Sequence, residues 1–416
     1  MAVLEIFKTI ASIPHCSGDT GALFEYICDF AKSCGYRVET DSAANILCYK
    51  TKRHIALQSH YDMVCVGKAP QIELVEQDGW LRAVDSTLGA DNGIGVAMML
   101  ALMAEGCEAE YLFTNDEEIG LIGANALELE LQAKKMINLD SEEFGAIFVG
   151  CAGGVDIYGE CTLEQKEVNG DFWRVKVEAP GGHSGVDIDK AIPNAIKELA
   201  HYLYEQSVEL ASFKGGERIN SIPAHAEAVV CGKLSPKEGI TIEQAPKSPV
   251  IHDSKKILEL LLAIPHGVRG WNRELDIPQH SQNLAQVAID DRLNIAVSAR
   301  SMTKEGLKRL ERENSALLTC FGCKVRSEGR YDPWEPHIGE FAKEFAKLYA
   351  KVAPDVTFKA IHAGLEAAVL AKKFPLMQII SVGPQIESPH STSERLRLET
   401  VEPLFEIIKE YLCATS

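Results

Sequence analysis

The sequence predicts an α/β protein in which a mostly parallel central sheet, flanked by helices, is interrupted by an inserted α+β domain. Short apolar segments alternate with helix-like segments at both ends of the chain, which is typical of a parallel sheet. The middle of the chain instead contains strands in which polar and apolar residues alternate, as in antiparallel sheets with one exposed face. With 416 residues, the chain is long enough for about two or three domains.

The elements of the first part follow from the spacing of its apolar residues. A helical spacing predicts a helix over 20–34, and residues 89–105, which open with glycine and aspartate and are then apolar all round, predict a buried helix. Short apolar runs predict buried strands over 54–58, 109–114 and 135–139. Polar or acidic residues follow each of these strands. Ligands gather at the carboxyl ends of parallel strands, so this edge of the sheet is the expected functional site.

The middle of the chain predicts two consecutive β-α-β halves without an evident sequence repeat. Its expected elements are strands over 172–178 and 226–231 around a helix over 192–206, then a helix over 254–264, strands over 283–289 and 292–299, a helix over 304–318 and a strand over 324–327. A buried strand over 374–382 and a final helix over 399–411 resume the first pattern. We therefore predict a main domain made of residues 1–154 and 329–416, with residues 155–328 inserted as a lid or dimerisation domain.

Composition excludes several classes of protein. The chain has 60 acidic and 42 basic residues and a formal net charge of −18, which disfavours nucleic acids and anionic membranes as partners. No apolar run reaches the ~20 residues that a membrane span needs, and the start of the chain has no secretory pattern. The twelve cysteines are scattered, and the Cys320–Cys323 spacing has no second pair to complete a zinc site. We expect reduced, packed thiols and a cytoplasmic protein.

Imidazoles and carboxylates recur at the predicted strand ends. Such nitrogen and oxygen atoms are the ligands of Zn²⁺ or Mn²⁺ in hydrolytic sites, and a two-metal site needs one bridging carboxylate with about two further ligands for each ion. Each residue alone is more often a helix cap, a turn former or a solvated surface group. Their coincidence at successive strand ends favours a metal site, with Asp91 as the bridge. The candidate ligands are His60, Asp91, Glu118, Asp140 and His390.

Five motifs in this order resemble a known family. They are Gln58-Ser-His-Tyr-Asp-Met-Val, Thr87-Leu-Gly-Ala-Asp-Asn-Gly, Thr114-Asn-Asp-Glu-Glu-Ile-Gly, Leu139-Asp-Ser-Glu-Glu-Phe-Gly and Ser388-Pro-His-Ser-Thr-Ser-Glu. Together they resemble the zinc-dependent exopeptidases related to carboxypeptidase G, carnosinase and peptidase T, and most of all their aminoacyl-histidine dipeptidase branch. The resemblance covers nearly the whole chain.

The resemblance implies two divalent cations, Zn²⁺ in the first place with Mn²⁺ or Co²⁺ as alternatives. One ion would be held by His60, Asp91 and Asp140, and the other by Asp91, Glu118 and His390. Glu117 would be the general base that takes a proton from the attacking water. Asp62 would hydrogen-bond the far nitrogen of His60 and fix its tautomer.

Five further residues are candidates for contacts with the substrate. His183 would stabilise the oxyanion, since enzymes of this family bring a histidine of the middle domain over the metals. Arg300 would bind a terminal carboxylate with its bidentate fork. Asn220 and Asn283 would position peptide amides, and Glu366 would recognise a free N-terminus. The alternatives are ordinary ones: a glycine-rich turn at His183, a surface ion pair at Arg300, and turn residues at the two asparagines.

Hydrolysis of dipeptides is the activity that we predict, with a small peptide as substrate and the inserted domain closing over the metals. An amidohydrolase acting on N-acyl amino acids is the first alternative, since the same metals would then promote hydrolysis of the N-acyl bond instead of a peptide bond. A non-catalytic binding protein on the same fold is the second, and the complete ligand set argues against it. A homodimer and a monomer are both compatible with the two-halved insertion.

Overall fold

The structure is a computed structural model that describes residues 2–414 of the chain. Contacts divide the chain into two compact units. The first unit consists of the chain up to Gly150, Pro336–Lys359 and the chain from Leu365 onwards, and the second of Cys151–Glu335 and Ala360–Gly364. The sequence placed these boundaries at 154/155 and 328/329, and it did not predict the short return of Ala360–Gly364 to the second unit.

The chain up to residue 151 alternates helices and strands. Its elements are α1 (Ala2–Ala11), α2 (Gly21–Ser33), β1 (Arg37–Thr40), β2 (Ile46–Tyr49), β3 (Ile55–His60), β4 (Leu74–Gln77), β5 (Trp80–Ala83), α3 (Ala90–Ala104), β6 (Glu110–Thr114), α4 (Ile122–Ala126), β7 (Lys135–Asn138) and β8 (Ala146–Cys151). The predicted helices over 20–34 and 89–105 and the three predicted strands are confirmed to within two or three residues.

Longer strands fill the middle of the chain. Its elements are β9 (Gly153–Thr162), β10 (Gln165–Lys166), β11 (Phe172–Glu178), β12 (Gly182–His183), α5 (Ala195–Gln206), β13 (Glu209–Gly215), β14 (Ser221–Ile222), β15 (His225–Cys231), β16 (Ile240–Gln244), β17 (Val250–Ile251), α6 (Ser254–Ala263), β18 (Gly267–Asn272), β19 (Ile277–Ile289), β20 (Arg292–Ser301), α7 (Lys304–Cys320) and β21 (Lys324–Tyr331).

The last part of the chain returns to short strands between helices. Its elements are α8 (Glu340–Tyr349), β22 (Thr357–Ile361), α9 (Glu366–Lys373), β23 (Gln378–Ser381), β24 (Ile386–Glu387), β25 (Arg395–Arg397), a 3-10 helix (Leu398–Thr400) and α10 (Val401–Ala414).

The first unit contains an eight-stranded sheet with the order β1-β2-β6-β3-β7-β23-β8-β22. Its four central strands, β6, β3, β7 and β23, are parallel, while the pairs β1–β2, β2–β6 and β23–β8 are antiparallel. Every residue of β3 and β6 is buried, which explains their continuous apolar character. Helix α3 is buried almost all round. The predicted α/β class with a largely parallel central sheet is confirmed.

A second, four-stranded antiparallel sheet of the first unit was not predicted. Its order is β24-β25-β5-β4. These strands have two to four residues each, which is too short for a periodic pattern to be visible. Buried Leu396 pairs with Ile386 on one side and with Leu81 on the other. The neighbouring Arg395 guanidinium stacks on the Trp80 ring at 4.2 Å from its centroid. Such a contact carries no local sequence signal.

The second unit contains one continuous nine-stranded sheet, which includes the strands of both predicted β-α-β halves. Its order is β16-β11-β15-β13-β19-β20-β9-β21, with β18 also paired to β19. All of these pairs whose register is defined are antiparallel, and the β13–β19 pair joins the two predicted halves. Helices α5, α6 and α7 bury their apolar residues with those of the strands in a common core. Helices packed on an antiparallel sheet are what the predicted α+β class describes.

The cysteines require a correction. Cys16 and Cys65 form a disulfide across 49 residues of sequence, although we expected only reduced thiols. The backbone brings the two together, since Cys16 forms a parallel bridge with Met63. Nothing in the local sequence marks such a long-range pair. Within residues 2–414, no helix is both long and apolar enough to cross a membrane.

Candidate active site

Three parallel strands end at the same edge of the sheet in the first unit. The register places His60 opposite Thr114 and Gln58 opposite Asn138. The residues that follow β6 and β7 therefore lie beside the end of β3. This alignment brings the candidate ligands from distant parts of the sequence to one place.

His60 faces two carboxylates. Its Nε2 atom lies 3.2 Å from Asp91 Oδ1 and 3.2 Å from Asp140 Oδ1. Asp140 follows β7, and Asp91 lies in the kinked first turn of α3. The ligand atoms of the three residues lie within 4.8 Å of one another, as in a site for one metal ion.

A second histidine faces the other side of Asp91. His390 Nε2 lies 3.1 Å from Asp91 Oδ2 and 2.8 Å from Glu118 Oε1. These three residues form a second group whose ligand atoms lie within 4.8 Å of one another. Asp91 thus presents one oxygen atom to each histidine, which is the arrangement that a bridging carboxylate needs.

Asp62 holds the loop that follows β6. Its Oδ1 accepts the backbone N–H of Glu117 at 2.9 Å, and its Oδ2 accepts the N–H of Glu118 at 3.3 Å and the hydroxyl of Ser17 at 2.7 Å. We expected its carboxylate to be the main partner of His60. The closest acceptor of His60 Nδ1 is instead the backbone oxygen of Asp62 at 3.0 Å, and Oδ1 lies 3.4 Å away. Both the carbonyl and the carboxylate of Asp62 therefore favour a proton on Nδ1 of His60.

Glu117 lies next to the candidate ligands. Its carboxylate, that of Glu118 and the ring of His60 form a third group within 4.8 Å. Burial raises the pKa of Glu117 well above its usual value, and the charges of Asp140 and Glu366 add to this effect although His60 opposes it. A buried carboxylate that binds a proton readily suits a group that accepts and returns one.

The electrostatics of this cluster fit divalent cations. Burial alone would lower the pKa of His60, but the carboxylates of Asp140, Asp62 and Asp91 raise it well above its usual value. Hydrogen bonds to Asp91 and Glu118 raise the pKa of His390 to about 11. In the absence of cations, the carboxylates thus draw protons onto both histidines. Two imidazoles and three carboxylates with this excess of negative charge match the donor set of zinc and similar ions.

Three of the predicted substrate-contact residues meet within the second unit. His183 in β12 pairs with Ser221 in β14, the carbonyl of Asn220 accepts the N–H of Ser184 at 2.9 Å, and the amide of Asn283 donates to the carbonyl of Ser221 at 2.8 Å. Asn283 is buried within β19, so it is not the turn residue that we weighed as its alternative.

The hydrogen bonds of His183 define its protonation. Its Nδ1 atom accepts the backbone N–H groups of Gly185 at 3.1 Å and Val186 at 3.2 Å. Burial and the charge of Arg300 lower the pKa of this histidine. Since Nδ1 is an acceptor, the proton of the neutral ring is on Nε2, which can act as a donor.

Arg300 is buried at the end of β20 and is only partly satisfied. The residue is 8% exposed, and its Nη1 donates to the hydroxyl of Tyr331 at 2.6 Å. Its buried Nε has no hydrogen-bond partner among residues 2–414. Tyr331 was not among our candidates, because a tyrosine at the end of a polar strand gives no functional signal. The arginine is not the surface ion-pair partner that we weighed as its alternative.

Glu366 lies beneath the strand ends of the first unit. It is fully buried, and its Oε2 accepts the amide of Gln58 at 2.5 Å and the hydroxyl of Thr114 at 2.8 Å. Its Oε1 has no hydrogen-bond partner in the described part of the chain. Burial raises its pKa to about 7. The recognition of a free N-terminus by Glu366 stays a prediction.

Comparison with known proteins identifies the family. Residues 56–414 match the model of "Peptidase family M20/M25/M40". The chain belongs to this peptidase family. It is 31% identical to the cytosol non-specific dipeptidase of Escherichia coli (strain K12) over an alignment 469 positions long, which covers 98% of this chain and 96% of the relative. The predicted resemblance is confirmed, and this M20-family chain is a hydrolase of peptide bonds.

Solved structures of the family share its fold. The aminoacylhistidine dipeptidase of Vibrio alginolyticus superposes with a TM-score of 0.88 and 27% identity, covering 99% of this chain and 96% of that one. A tripeptidase from Staphylococcus aureus matches with a TM-score of 0.61 and 16% identity, covering 99% and 97% of the two chains. At that low identity, the second match shows the fold alone.

Proposed function

We propose that this member of the M20 family is a metal-dependent dipeptidase. The observation that carries the proposal is the position of Asp91, whose two carboxylate oxygens face His60 and His390 separately at 3.2 Å and 3.1 Å. The name of the Escherichia coli relative, a non-specific dipeptidase that aligns over 98% of this chain, supports dipeptides as the substrate class.

Two divalent cations fit the ligand set. His60, Asp91 and Asp140 would hold one ion, and Asp91, Glu118 and His390 the other. We propose Zn²⁺ as the ion, with Mn²⁺ and Co²⁺ as alternatives, because mixed imidazole and carboxylate ligands suit all three. When bound, such ions would lower the pKa of water from 15.7 toward about 7 and polarise the carbonyl of the scissile bond.

The chain's own residues supply the proton transfers. The carboxylate of Glu117 takes the proton of the attacking water and then donates it to the nitrogen of the leaving amine. Asp62 keeps this carboxylate in place through the N–H of Glu117, and it keeps the neighbouring ligand Glu118 in place in the same way. No side-chain nucleophile takes part in this scheme.

The second unit offers groups for the substrate. We propose that Nε2 of His183 donates a hydrogen bond to the developing oxyanion, and that the free Nε edge of Arg300 binds the terminal carboxylate. Asn220 and Asn283 are proposed to position the peptide amides, although the buried amide of Asn283 already donates to Ser221. The action of the second unit as a lid is part of the same proposal.

The test is hydrolysis by the purified protein with and without metal. We expect cleavage of dipeptides, including Xaa-His dipeptides, that is lost on treatment with a chelator and restored by Zn²⁺, Mn²⁺ or Co²⁺. Metal analysis should find close to two ions per chain. Preferential cleavage of N-acetyl amino acids would favour an amidohydrolase instead, and a metal-loaded protein without any hydrolysis would be a binding protein.

Two further predictions concern the environment of the protein. We propose a cytoplasmic location, which agrees with the word "cytosol" in the name of the Escherichia coli relative. The disulfide between Cys16 and Cys65 is unusual for that compartment, so labelling of free thiols in cell extracts is the direct check. The second concerns the oligomeric state: the two-halved insertion is compatible with a homodimer and with a monomer, and light scattering of the purified protein distinguishes the two.

A further inference from the structure

A single buried carboxylate binds the backbone around the bridging ligand. Glu394 is 2% exposed. Its Oε2 accepts the N–H groups of Leu88 at 2.7 Å and Gly89 at 3.1 Å, and its Oε1 accepts those of Ala90 at 2.8 Å and Asp91 at 3.2 Å. Four consecutive backbone donors thus converge on one side chain.

These donors belong to the start of α3, where the first N–H groups of a helix have no partner within the helix. A residue at the cap position normally supplies an oxygen from its own side chain. Gly89 occupies that position with a φ of 70°, and a Cβ atom there would lie 2.9 Å from the sulfur of Met63. A capping side chain does not fit, so Glu394 provides the cap from about 300 residues further along the chain.

Glu394 also fixes the loop of His390, which precedes it by four residues. The turn between them is closed by its own hydrogen bonds. The N–H of Glu394 donates to the carbonyl of Ser391 at 3.1 Å, and the hydroxyl of Ser391 donates to the carbonyl of Ser388 at 2.8 Å. The position of the His390 backbone is therefore tied to that of the Glu394 carboxylate.

We propose that Glu394 is a positioning residue that sets the distance between Asp91 and His390, and that it thereby determines how tightly both cations bind. The proposal rests on the proposed function, since it takes Asp91 and His390 as ligands. Glu394 itself is not a ligand, because both of its oxygens are occupied by backbone donors. Replacement of a group that orients metal ligands typically weakens metal binding or activity by about 10- to 100-fold.

A matched control exists in the same unit. Glu110 is also fully buried, and its carboxylate accepts the N–H groups of Gln132 and Ala133 together with Nε of Arg53. Glu110 is the first residue of β6, at the opposite end of the strand from the ligand loop. Its replacement removes a comparable set of hydrogen bonds without touching the metal site.

The experiment compares Glu394→Gln, Glu394→Asp and Glu110→Gln with the unchanged chain. Zn²⁺ affinity is measured on metal-free protein by competition with a chromogenic chelator, and thermal unfolding is followed without metal. We expect Glu394→Gln to weaken Zn²⁺ binding about 10- to 100-fold and to lower kcat at saturating Zn²⁺ with little change in KM. Glu394→Asp should recover part of the affinity because it keeps the charge. Glu110→Gln should lower the melting temperature but leave Zn²⁺ affinity unchanged.

The outcomes separate the two proposals. If the unchanged chain binds none of Zn²⁺, Mn²⁺ and Co²⁺ in this competition, the proposed function fails and Glu394 has no ligands to position. If the unchanged chain binds and Glu394→Gln binds equally well, only the positioning role is wrong. An equal loss of affinity in Glu394→Gln and Glu110→Gln would show general destabilisation and would also overturn it. Glu394→Asp provides the same comparison if Glu394→Gln does not fold.

Discussion

Glu117→Gln removes the proposed proton acceptor while keeping the size of its side chain. The backbone N–H that donates to Asp62 at 2.9 Å is unaffected, so the loop after β6 keeps its position. None of the five proposed cation ligands changes. We therefore expect a folded protein that binds two cations but turns over slowly.

The size of the effect follows from what the other carboxylates do. Within residues 2–414, four carboxylates share the groups of possible metal ligands with His60 and His390. Asp91, Glu118 and Asp140 are occupied as ligands in the proposed site, which leaves Glu117 as the member of these groups that can accept a proton. General acid–base catalysis by such a group contributes about 10²- to 10⁴-fold. The expected fall in kcat is therefore about 10²- to 10⁴-fold, or about 2.7–5.4 kcal/mol of transition-state stabilisation. KM should change little, because Glu117 is proposed to act on the attacking water and on the leaving amine during the reaction, and not to bind the intact dipeptide.

The assay pairs hydrolysis of a dipeptide with metal analysis of the same sample. Glu118→Gln is the matched control, since it makes the same chemical change at the adjacent residue. We expect Glu118→Gln to lose the ion on the His390 side, whereas Glu117→Gln keeps both ions. A Glu117→Gln protein with kcat within tenfold of normal would refute the general-base role. Loss of metal from Glu117→Gln and not from Glu118→Gln would mean that the two roles are exchanged.

Three other outcomes are expected. Asp91→Ala should lose both ions together, because it removes the oxygen that faces each histidine, and metal analysis that finds one tightly bound ion would contradict the bridging role. Arg300→Lys should raise KM about tenfold or more for dipeptides but not for dipeptide amides, since the loss of a bidentate charged contact is worth about 1.5–3 kcal/mol; equal effects on both substrates would exclude a carboxylate contact. The double variant Cys16→Ser with Cys65→Ser should lower the free energy of unfolding by about 2–4 kcal/mol, because a disulfide across 49 residues restrains the unfolded chain. Chemical denaturation measures this loss, and a reducing agent should have no further effect on the double variant.

The parts of the fold that could be predicted are those with a local pattern. Strands β3, β6 and β7 are buried on both faces, so their apolar runs stand out in the sequence. Helix α3 is apolar all round for the same reason. Because parallel strands end at one edge, the sequence also indicated that His60, Glu118 and Asp140 would be neighbours, and the structure brings them together.

The parts that could not be predicted depend on contacts between distant residues. The cap of α3 comes from Glu394, about 300 residues away, and the partner of Cys16 is 49 residues away. No pattern in the sequence around Glu394 or Cys16 marks these distant partners. The sequence also does not show which group of Asp62 lies nearer to His60. In the structure its backbone carbonyl lies 3.0 Å from Nδ1 of the histidine and its carboxylate 3.4 Å.

Two carboxylates that are not proposed ligands organise the site in the same way. Asp62 accepts the N–H groups of Glu117 and Glu118, and Glu394 accepts that of Asp91. A free carboxylate so close to two cations would compete with the ligands, but oxygens that already accept backbone hydrogen bonds are poor ligands. Burial alone would raise the pKa of Asp62, but the neighbouring His60 lowers it, and hydrogen bonds from Ser17 and from the N–H of Glu117 lower it further. Asp62 and Glu394 therefore fix the backbone of the loops that carry Glu118 and Asp91. The position of that backbone in turn determines where these two proposed ligands lie.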